Sequence, residues 1–424
     1  MQTLQTIIVF LIIFSIIVVI HEFGHYYFAK RAGILVREFA IGMGPKLFAK
    51  QGKDGTTYTL RMLPLGGYVR LAGLNEEEAI QPGMQVGLQL DANDQVTVIN
   101  TTDRGEIDEL PVQIDQLDLS REMFIQAIPV GQLEPVRYQV SKTAQIIEAD
   151  GTRVQVAPLE TRYESANVWQ KIMTNIAGPM NNFILSIITF AIVGLLMPAV
   201  PNNTSEIGAV IENNPADQAG MLAGDRIIEI DGEEVSTWTD VLESIQALPG
   251  ETVPVIVDRE GEEIILTIEV ASAQVGEDGE TIGLIGIYAA QKTGILDRAL
   301  YGFTATWGVI TSVLGVIAGM FTNGFDINMF GGPVAMAEAT SEVVNQGYTT
   351  ILYFMAFLST NLGIVNLLPI PALDGGKIVL NLIEAVRGKP LSQEKEGIIT
   401  IIGVIFLFVL MIAVTWNDIS RVFF

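Results

Sequence analysis

The segment that decides the fold lies at the start of the chain, where residues 3–29 read TLQTIIVFLIIFSIIVVIHEFGHYYFA. Apart from tyrosine, the only ionisable side chains in this stretch are His21, Glu22 and His25. About 20 mostly apolar residues in helical form cross a bilayer core, so the segment is predicted to be a membrane helix. It has neither a basic region before the apolar run nor a small-residue cleavage pattern after it, which argues against a signal peptide.

The composition of the whole chain indicates the same environment. Of the 424 residues, 49% are hydrophobic and only 17% are charged, which is unusual for a soluble protein. The formal net charge of −24 argues against binding to nucleic acid, which requires a basic surface. The chain contains no cysteine, which excludes disulfides, thiol nucleophiles and thiolate metal sites. Any metal site must therefore use histidine and carboxylate ligands.

Four transmembrane helices are predicted, so the fold class is a multi-pass α-helical membrane protein. The four spans are assigned to residues 1–30, 172–200, 346–376 and 397–417. Residues 299–325 are also long enough, but their glycine and threonine content predicts a helix that lies on the membrane or dips into it. They are assigned to an interfacial, amphipathic region over residues 295–342.

The distribution of basic residues predicts the orientation. Residues 30–171 carry 15 of the 24 Lys and Arg residues, whereas only four lie between the second and third spans. Because loops rich in Lys and Arg stay on the cytoplasmic side, residues 30–171 are predicted to be cytoplasmic. Both termini and the region after the second span are then extracytoplasmic.

The sequence His21-Glu22-Phe23-Gly24-His25 is an H-E-x-x-H motif inside the first span. Side chains at i and i+4 project from one helix face, so two imidazoles there can bind one zinc ion. The intervening glutamate can act on a water molecule as general base. The alternative is a structural pair of histidines. Three ionisable groups in an apolar helix are costly unless they serve a function, which favours the metal site.

A catalytic zinc site needs a third protein ligand and an open position. No other histidine or cysteine remains, so that ligand must be Asp or Glu. Asp374 is the candidate, in residues 366–376, NLLPIPALDGG. Pro369 and Pro371 break the helix there, and irregular backbone in a membrane is tolerated where it lines a cavity. The alternative is that Asp374 only caps the following helix.

The paired motifs resemble the site-2 protease family, in its bacterial branch of zinc proteases for regulated intramembrane proteolysis. Three more stretches look like blocks of that family: residues 61–70 (RMLPLGGYVR), 177–182 (AGPMNN) and 332–333 (GP). The resemblance implies that His21, His25 and Asp374 bind one catalytic Zn²⁺ and that Glu22 activates water. It also implies that the substrates are transmembrane proteins, such as trimmed anti-sigma factors, or remnant signal peptides.

Residues 31–75 are predicted to form a β-hairpin that turns at residues 52–55. In the family, the matching stretch folds back into the membrane beside the active site, where a sheet edge can pair with an extended substrate. Asn366, Pro369 and Pro371 are the candidate substrate-binding residues, because an amide side chain can both donate and accept hydrogen bonds. The alternative role of Asn366 is to hold the broken helix together.

Two segments outside the spans are predicted to fold. Residues 76–168 form an acidic, partly folded, β-rich cytoplasmic insertion, which favours the Gram-positive form of the family with one PDZ domain. Residues 204–289 resemble that PDZ domain, with strands at 253–257 and 264–270 and a helix near 239–247. The turn at residues 219–222 is predicted to offer backbone N–H groups to a peptide C-terminus. The alternative is a PDZ fold without a peptide ligand.

Two other functions were weighed against a zinc metalloprotease. A membrane-anchored PDZ adaptor with a non-catalytic metal site would have no use for Glu22 between the two histidines. A metal transporter would need polar groups in several spans, and the second and fourth spans have few. The sequence therefore predicts an enzyme that cuts other membrane proteins in or near their transmembrane segments, inside the lipid bilayer.

Overall fold

Long helices at both ends of the chain flank two β-rich segments in the computed structural model, which describes residues 2–74, 80–102, 108–275, 280–322, 324 and 326–423. The helices in that part of the chain are α1 Gln2–Arg31, α2 Val168–Leu196, α3 Pro215–Gln218, α4 Trp238–Gln246, α5 Ile295–Thr322, α6 Pro333–Gln346, α7 Tyr348–Leu367, α8 Asp374–Arg387 and α9 Gln393–Phe423. The strands are β1 Val36–Gln51, β2 Thr57–Leu71, β3 Gln85–Leu90, β4 Val96–Asn100, β5 Leu110–Asp118, β6 Phe124–Pro129, β7 Val136–Ile147, β8 Arg153–Gln155, β9 Val200–Pro201, β10 Ile207–Val210, β11 Arg226–Ile230, β12 Glu233–Glu234, β13 Thr252–Arg259, β14 Glu262–Glu269, β15 Ala271–Val275, β16 Glu280–Leu284, β17 Ile287–Ala289 and β18 Gln291–Lys292.

Five helices in the described part of the chain are long and apolar enough to cross a membrane, as judged by length and composition. They are Leu4–Arg31, Val168–Leu196, Ile295–Thr322, Tyr348–Leu367 and Glu394–Arg421. The sequence predicted four spans and an interfacial helix. The fifth candidate span is α5, which lies in the region that was predicted to be interfacial. Threonine does not interrupt α5, because its hydroxyl can bond within the helix. The Thr306 hydroxyl, for example, donates to the carbonyl oxygen of Gly302 at 2.7 Å.

The chain divides into two compact units. The first comprises Met1–Ser186 and Val309–Phe424, and the second comprises Ile187–Gly308. The H-E-x-x-H motif and Asp374 belong to the first unit. The region that resembles a PDZ domain belongs to the second.

In the first unit, β1 and β2 form a bent hairpin, in which Glu38 of β1 lies opposite both Thr57 and Arg70 of β2, and the hairpin is anchored to the end of α1. Lys30 Nζ lies 3.0 Å from Asp54 Oδ2 in the turn. Partial burial would raise the pKa of Asp54, but hydrogen bonds from Lys30 and Thr56 hold that pKa at about 2. This end of the hairpin therefore lies beside the basic last turn of α1.

The other part of the hairpin runs along α1 toward its N-terminus. The Ser15 hydroxyl donates to the carbonyl oxygen of Pro64 at 3.1 Å. A Cβ atom added at Gly67 would lie 3.8 Å from Glu22 Cγ, so the backbone of β2 passes directly beside the glutamate of the motif. Leu47 and Phe48 in β1 are 63% and 60% exposed, so this part of the hairpin presents apolar side chains on its surface.

The insertion after the hairpin forms a small β-barrel. Its strand order is β4-β3-β5-β6-β7, and β4 also pairs in parallel with β7, with Val96 opposite Val140. This pairing closes a ring of five strands, and β8 pairs with the second half of β7. Closure leaves few free strand edges. The interior is filled by apolar side chains, among them the fully buried Leu88, Ile99, Ile114 and Ile125.

The barrel packs against the hairpin through polar side chains of β7, β8 and the turn between them. The contacts are Glu148 with Arg70 at 2.8 Å, Thr152 with Lys46 at 2.9 Å, Gln145 with Gln51 at 2.6 Å and the Arg153 carbonyl with the Thr57 hydroxyl. The insertion is therefore attached to the hairpin by side chains as well as by the chain itself.

In the second unit, β12-β11-β13-β14 form a four-stranded antiparallel sheet. The predicted strands and helix of this region coincide with β13, β14 and α4. Helix α4 begins with a capping box, in which the Thr237 side chain and the Asp240 side chain each bond the other's backbone N–H. Its buried side chains Val241 and Ile245 pack into the apolar core of this unit.

The predicted carboxylate-binding turn in this unit is wrong. The backbone N–H groups of residues 219–222 already donate hydrogen bonds to nearby acceptors, because the chain there forms the end of helix α3. The donors and acceptors are Ala219 N to Pro215 O, Gly220 N to Asp217 O, Met221 N to Ala216 O and Leu222 N to Asp225 Oδ2, at 2.9–3.0 Å. A peptide C-terminus would find no free donor at these positions.

Candidate active site

Helices α1 and α2 approach each other closely beside the motif, and glycine permits the approach. A Cβ atom added at Gly24 would lie 2.2 Å from the Ala177 carbonyl oxygen. One added at Gly178 would lie 2.3 Å from His25 Nε2 and 2.8 Å from His21 Nε2. Gly178 therefore leaves open the space into which both ring nitrogens point.

Asp374 reaches the same place because the chain breaks between α7 and α8. Leu368, the residue before Pro369, is extended with φ −60° and ψ 142°, as expected for a residue that precedes proline. Ala372 has φ 78°, a left-handed conformation that is strained for alanine. Such strain is typical of functional sites and is retained only where the surrounding structure enforces it.

The two glycines after Asp374 belong to the first turn of α8. A Cβ atom added at Gly375 would lie 2.2 Å from the Leu368 carbonyl oxygen, and one added at Gly376 would lie 2.4 Å from that of Ile370. They allow α8 to begin directly against the broken segment. The N-cap of α8 is Leu373 and carries no side-chain cap bond, so the helix-capping alternative for Asp374 does not describe this structure.

The three predicted ligand atoms form an equilateral triangle. His21 Nε2 lies 3.2 Å from His25 Nε2, and Asp374 Oδ2 lies 3.2 Å from each of them. The three side chains are only 8%, 11% and 10% exposed. In a tetrahedral site with zinc–ligand bonds of about 2.0–2.1 Å, neighbouring ligand atoms lie roughly 3.3 Å apart. The triangle thus has the dimensions of one face of such a tetrahedron.

The other ring nitrogens fix how the imidazoles face this triangle. His25 Nδ1 lies 2.8 Å from the Thr174 carbonyl oxygen, which can only accept, so Nδ1 carries the proton and Nε2 keeps its lone pair. His21 Nδ1 lies 3.1 Å from the amide of Asn182. If His21 has the same tautomer, the amide oxygen of Asn182 must face Nδ1. That orientation would also give the buried Asn182 Oδ1 the partner that it otherwise lacks among the described residues.

The charges of the triangle favour a bound cation. Apart from the two imidazole nitrogens, the buried Asp374 Oδ2 meets no hydrogen-bond donor in the described part of the chain. A buried carboxylate without a partner is costly, and lone pairs that converge at 3.2 Å repel each other. A metal ion removes both penalties. His21, His25 and Asp374 are also the group of His, Cys, Asp and Glu residues in the described ranges that could hold a metal ion.

Glu22 lies on the same helix as the two histidines, and the candidate substrate residues lie in the broken segment that leads to Asp374. Glu22 is partly buried beside the backbone of Gly67. The Asn366 amide donates to the Leu362 carbonyl oxygen of its own helix at 3.0 Å, which is the helix-holding role considered above. Pro371 packs against α9, where a Cβ atom added at Gly403 would lie 2.1 Å from the Pro371 carbonyl oxygen.

Sequence reasoning missed the polar face of α2. Thr174 and Asn182 contact the two histidines, and Gly178 lies between them. On the α7 side, the Ser359 hydroxyl donates to the Asn182 carbonyl oxygen at 2.8 Å. The signal that could have found this face is the spacing of its members along an otherwise apolar helix: Lys171, Asn175, Gly178, Asn182 and Ser186.

Comparisons with known proteins identify the family. The profile of peptidase family M50 matches residues 9–410. The chain belongs to peptidase family M50. It is similar to "Probable protease eep" of Enterococcus faecalis, with 48% identity over 99% of this chain and 100% of that protein. It is also similar to "Putative zinc metalloprotease LL2128" of Lactococcus lactis, with 44% identity over 99% of each chain.

A member of family M50 is a site-2 protease, so this chain is a zinc metalloprotease and a membrane protein. The donors of the triangle fit zinc, because two neutral imidazoles and one carboxylate leave the fourth position of a tetrahedron open.

Among solved structures, this chain is similar to the PDZ domain of an SdrC-like protein from Listeria innocua. The two are 26% identical, and the match covers 21% of this chain and 93% of that one with a TM-score of 0.17.

Gly178→Ala tests the open space at the triangle. The new methyl group would contact both Nε2 atoms, so the zinc affinity of the purified variant should fall by roughly tenfold or more. Metal analysis after dialysis measures this. Gly319→Ala on α5 is the matched control, because a Cβ atom there meets nothing within 4 Å. Wild-type zinc content in Gly178→Ala would mean that the metal lies elsewhere.

Proposed function

We propose that this protein hydrolyses peptide bonds in or beside the transmembrane segments of other membrane proteins. In this proposal His21, His25 and Asp374 hold one catalytic zinc ion and Glu22 is the general base. The observation that carries the proposal is the triangle of ligand atoms, built on a helix long enough to span a membrane. The substrates are transmembrane proteins that another protease has already trimmed, such as anti-sigma factors, or remnant signal peptides.

The depth of the site supports cleavage inside the bilayer. His21 precedes the basic end of α1 at Lys30 and Arg31 by about ten residues, which corresponds to roughly 15 Å along a helix. The hydrocarbon core is about 30 Å thick. A helix whose basic end lies at the membrane surface would hold His21 about halfway across, at a depth that membrane-embedded peptide bonds reach.

The chemistry follows from the positions of the side chains. Zinc, when bound, supplies a Lewis acid that polarises a carbonyl oxygen and makes water more acidic. The carboxylate of Glu22 accepts the proton of the attacking water and returns it to the nitrogen of the leaving amine. The Thr174 carbonyl holds the proton of His25 on Nδ1, so that Nε2 stays available as a ligand. The low exposure of the three ligands keeps bulk water away from them.

The hairpin is proposed to bind the substrate inside the membrane. Pro64 contacts Ser15, which precedes His21 by six residues, so β2 extends about 9 Å beyond the motif along α1. The exposed Leu47 and Phe48 suit a lipid environment. In the described part of the chain, residues 46–51 of β1 and 67–71 of β2 are each paired on one side only, so each offers an edge on which an extended substrate can add a strand. Asn366, Pro369 and Pro371 are proposed to bind the same unwound segment.

The direction of α7 supports four membrane crossings. Ile13 and Ile17 of α1 pack with Met355 of α7, and later in α1 His21 and His25 meet Asp374, which follows the end of α7. Helices α1 and α7 therefore run parallel. Since α2 returns the chain to the first side, α7 must begin there, and the chain between α2 and α7 must cross an even number of times. Helix α6 has 14 residues, too few to span a bilayer, so α5 does not make a crossing of its own.

With four crossings and the basic residues 30–171 in the cytoplasm, both termini and the PDZ domain are extracytoplasmic. The PDZ domain is proposed to restrict access of untrimmed substrates to the site. Without free donors at residues 219–222, this role does not rest on capture of a C-terminus by that turn.

Separate variants distinguish metal binding from proton transfer. His21→Ala, His25→Ala and Asp374→Ala should each lose zinc and activity. Glu22→Gln should keep most of its zinc and lose activity by at least about 100-fold, because a general base contributes roughly 10²–10⁴-fold. Zinc content and cleavage of a membrane substrate by protein reconstituted in liposomes measure both. Wild-type turnover of Glu22→Gln would exclude this mechanism.

Reporter fusions test the topology. A fusion after residue 120, in the barrel, should report the cytoplasm, and fusions after residue 260 and at the C-terminus should report the outside. A fifth crossing by α5 would move the C-terminal reporter to the cytoplasm while the other two stayed unchanged. That result would refute the four-crossing topology.

Matched substrates test unwinding. The carbonyl groups of a membrane helix already accept internal hydrogen bonds, so a cleavable segment must unwind, and Gly, Pro, Asn or Ser near the cut should help it to do so. Replacing them with Leu should slow cleavage without changing membrane insertion. Asn366→Leu should slow cleavage of every substrate and leave zinc bound. Equal rates across the series would show that unwinding does not limit the reaction.

A further inference from the structure

A buried ion pair joins the start of α2 to α8. Lys171 Nζ lies 2.8 Å and 3.0 Å from the two carboxylate oxygens of Glu384. The Lys171 side chain is 2% exposed and that of Glu384 is 15% exposed. Lysine is almost never buried to this degree without a strong reason, and neither residue contacts the catalytic triangle. Their function must therefore act through the helices that they join.

Tyr163 forms a second connection between the same helices. Its hydroxyl oxygen accepts hydrogen bonds from the Asn175 amide of α2 at 2.8 Å and from the Asn381 amide of α8 at 3.0 Å. Burial raises the pKa of Tyr163 to about 12, so the hydroxyl stays neutral at physiological pH. The ring of Tyr163 also lies 5.7 Å from Lys171 Nζ, a cation–π distance. The ion pair and the tyrosine thus form one buried polar cluster.

The cluster lies on the faces that carry the active site. Asn381 follows Asp374 by seven residues, two helical turns, so both project from the same side of α8. On α2, Gly178 follows Lys171 by the same interval and lies against the two Nε2 atoms. A displacement of α8 by one turn along α2 would move Asp374 by about 5.4 Å and remove it from the triangle.

The broken segment of α7 and α8 is also held by α2 on the other side of the break. There the Ser186 and Thr360 hydroxyls lie 2.6 Å apart, and Ser359 donates to the Asn182 carbonyl oxygen. The glycines of α8 already hold the irregular residues 368–373 close to the start of that helix. The contact between α2 and α8 adds a bond that fixes α8 itself against α2.

We propose that Lys171 and Glu384 are positioning residues, whose buried ion pair, together with Tyr163, fixes α8 in register on α2 and thereby holds Asp374 in place as the third zinc ligand. This inference rests on the zinc site proposed above. An apolar pair of similar size would hold the two helices together as well or better. It would not specify register, because only the charged, hydrogen-bonded pair has a defined direction and partner.

The test replaces the pair by apolar side chains. Lys171→Met alone would leave Glu384 without its partner, and the chain could misfold, so the informative variant is Lys171→Met with Glu384→Met. It should fold with wild-type thermal stability but bind zinc roughly tenfold more weakly. The ligand-field spectrum of its cobalt-substituted form should also change, because that spectrum reports the geometry of the ligands.

Three companion variants make the result decisive. Tyr163→Phe removes only a hydroxyl group and should shift zinc affinity and the cobalt spectrum in the same direction by a smaller factor. Lys142→Met with Glu160→Met removes an exposed ion pair, whose side chains are 70% and 60% exposed, and should change neither. His21→Ala reports on the zinc site itself. If His21→Ala also kept its zinc, the proposed site would be wrong.

The inference is overturned if His21→Ala loses zinc while the double variant and Tyr163→Phe keep the wild-type affinity and the wild-type cobalt spectrum. In that case the zinc site would stand, and the polar cluster would serve only the stability of the fold.

Discussion

Two imidazole nitrogens and one carboxylate oxygen converge at 3.2 Å inside a bundle of apolar helices. This arrangement is unfavourable until a cation occupies it, and much of the surrounding structure serves to enforce it. Gly24 and Gly178 bring α1 and α2 together, and Gly375 and Gly376 let α8 start directly against the broken segment. The constraint also explains why the chain tolerates a strained residue beside the third ligand.

Helix α2 organises the site although it supplies none of the three ligand atoms. One polar face contacts both histidines and also bonds α7 and α8 on either side of their break. Within this arrangement the backbone of β2 passes beside Glu22. In the proposed mechanism, a substrate strand added to the hairpin would present its carbonyl groups near this glutamate. The barrel packs on the same hairpin and restrains its position.

The family and the class of enzyme could be predicted from the sequence because two short motifs, far apart in the chain, are together specific to that family. His21 and His25 share one turn of helix, and Asp374 follows two prolines that mark a break. The role of Lys171 could not be predicted, because its partner Glu384 lies 213 residues away. The barrel closes through a parallel contact of β4 with β7 that no local pattern reveals. The turn at residues 219–222 was misjudged because sequence does not show which N–H groups are already bonded.

The central claim is that two histidines and one aspartate form the metal site, in one place, within the membrane. X-ray absorption spectroscopy at the zinc edge of the purified, reconstituted protein tests it most directly. The account predicts one tightly bound zinc per chain, with two imidazole ligands and oxygen atoms in the remaining positions, and a changed spectrum or lost metal in Asp374→Asn. A zinc ion coordinated by a different number of imidazoles would contradict the account. So would an Asp374→Asn variant that kept its zinc with an unchanged spectrum.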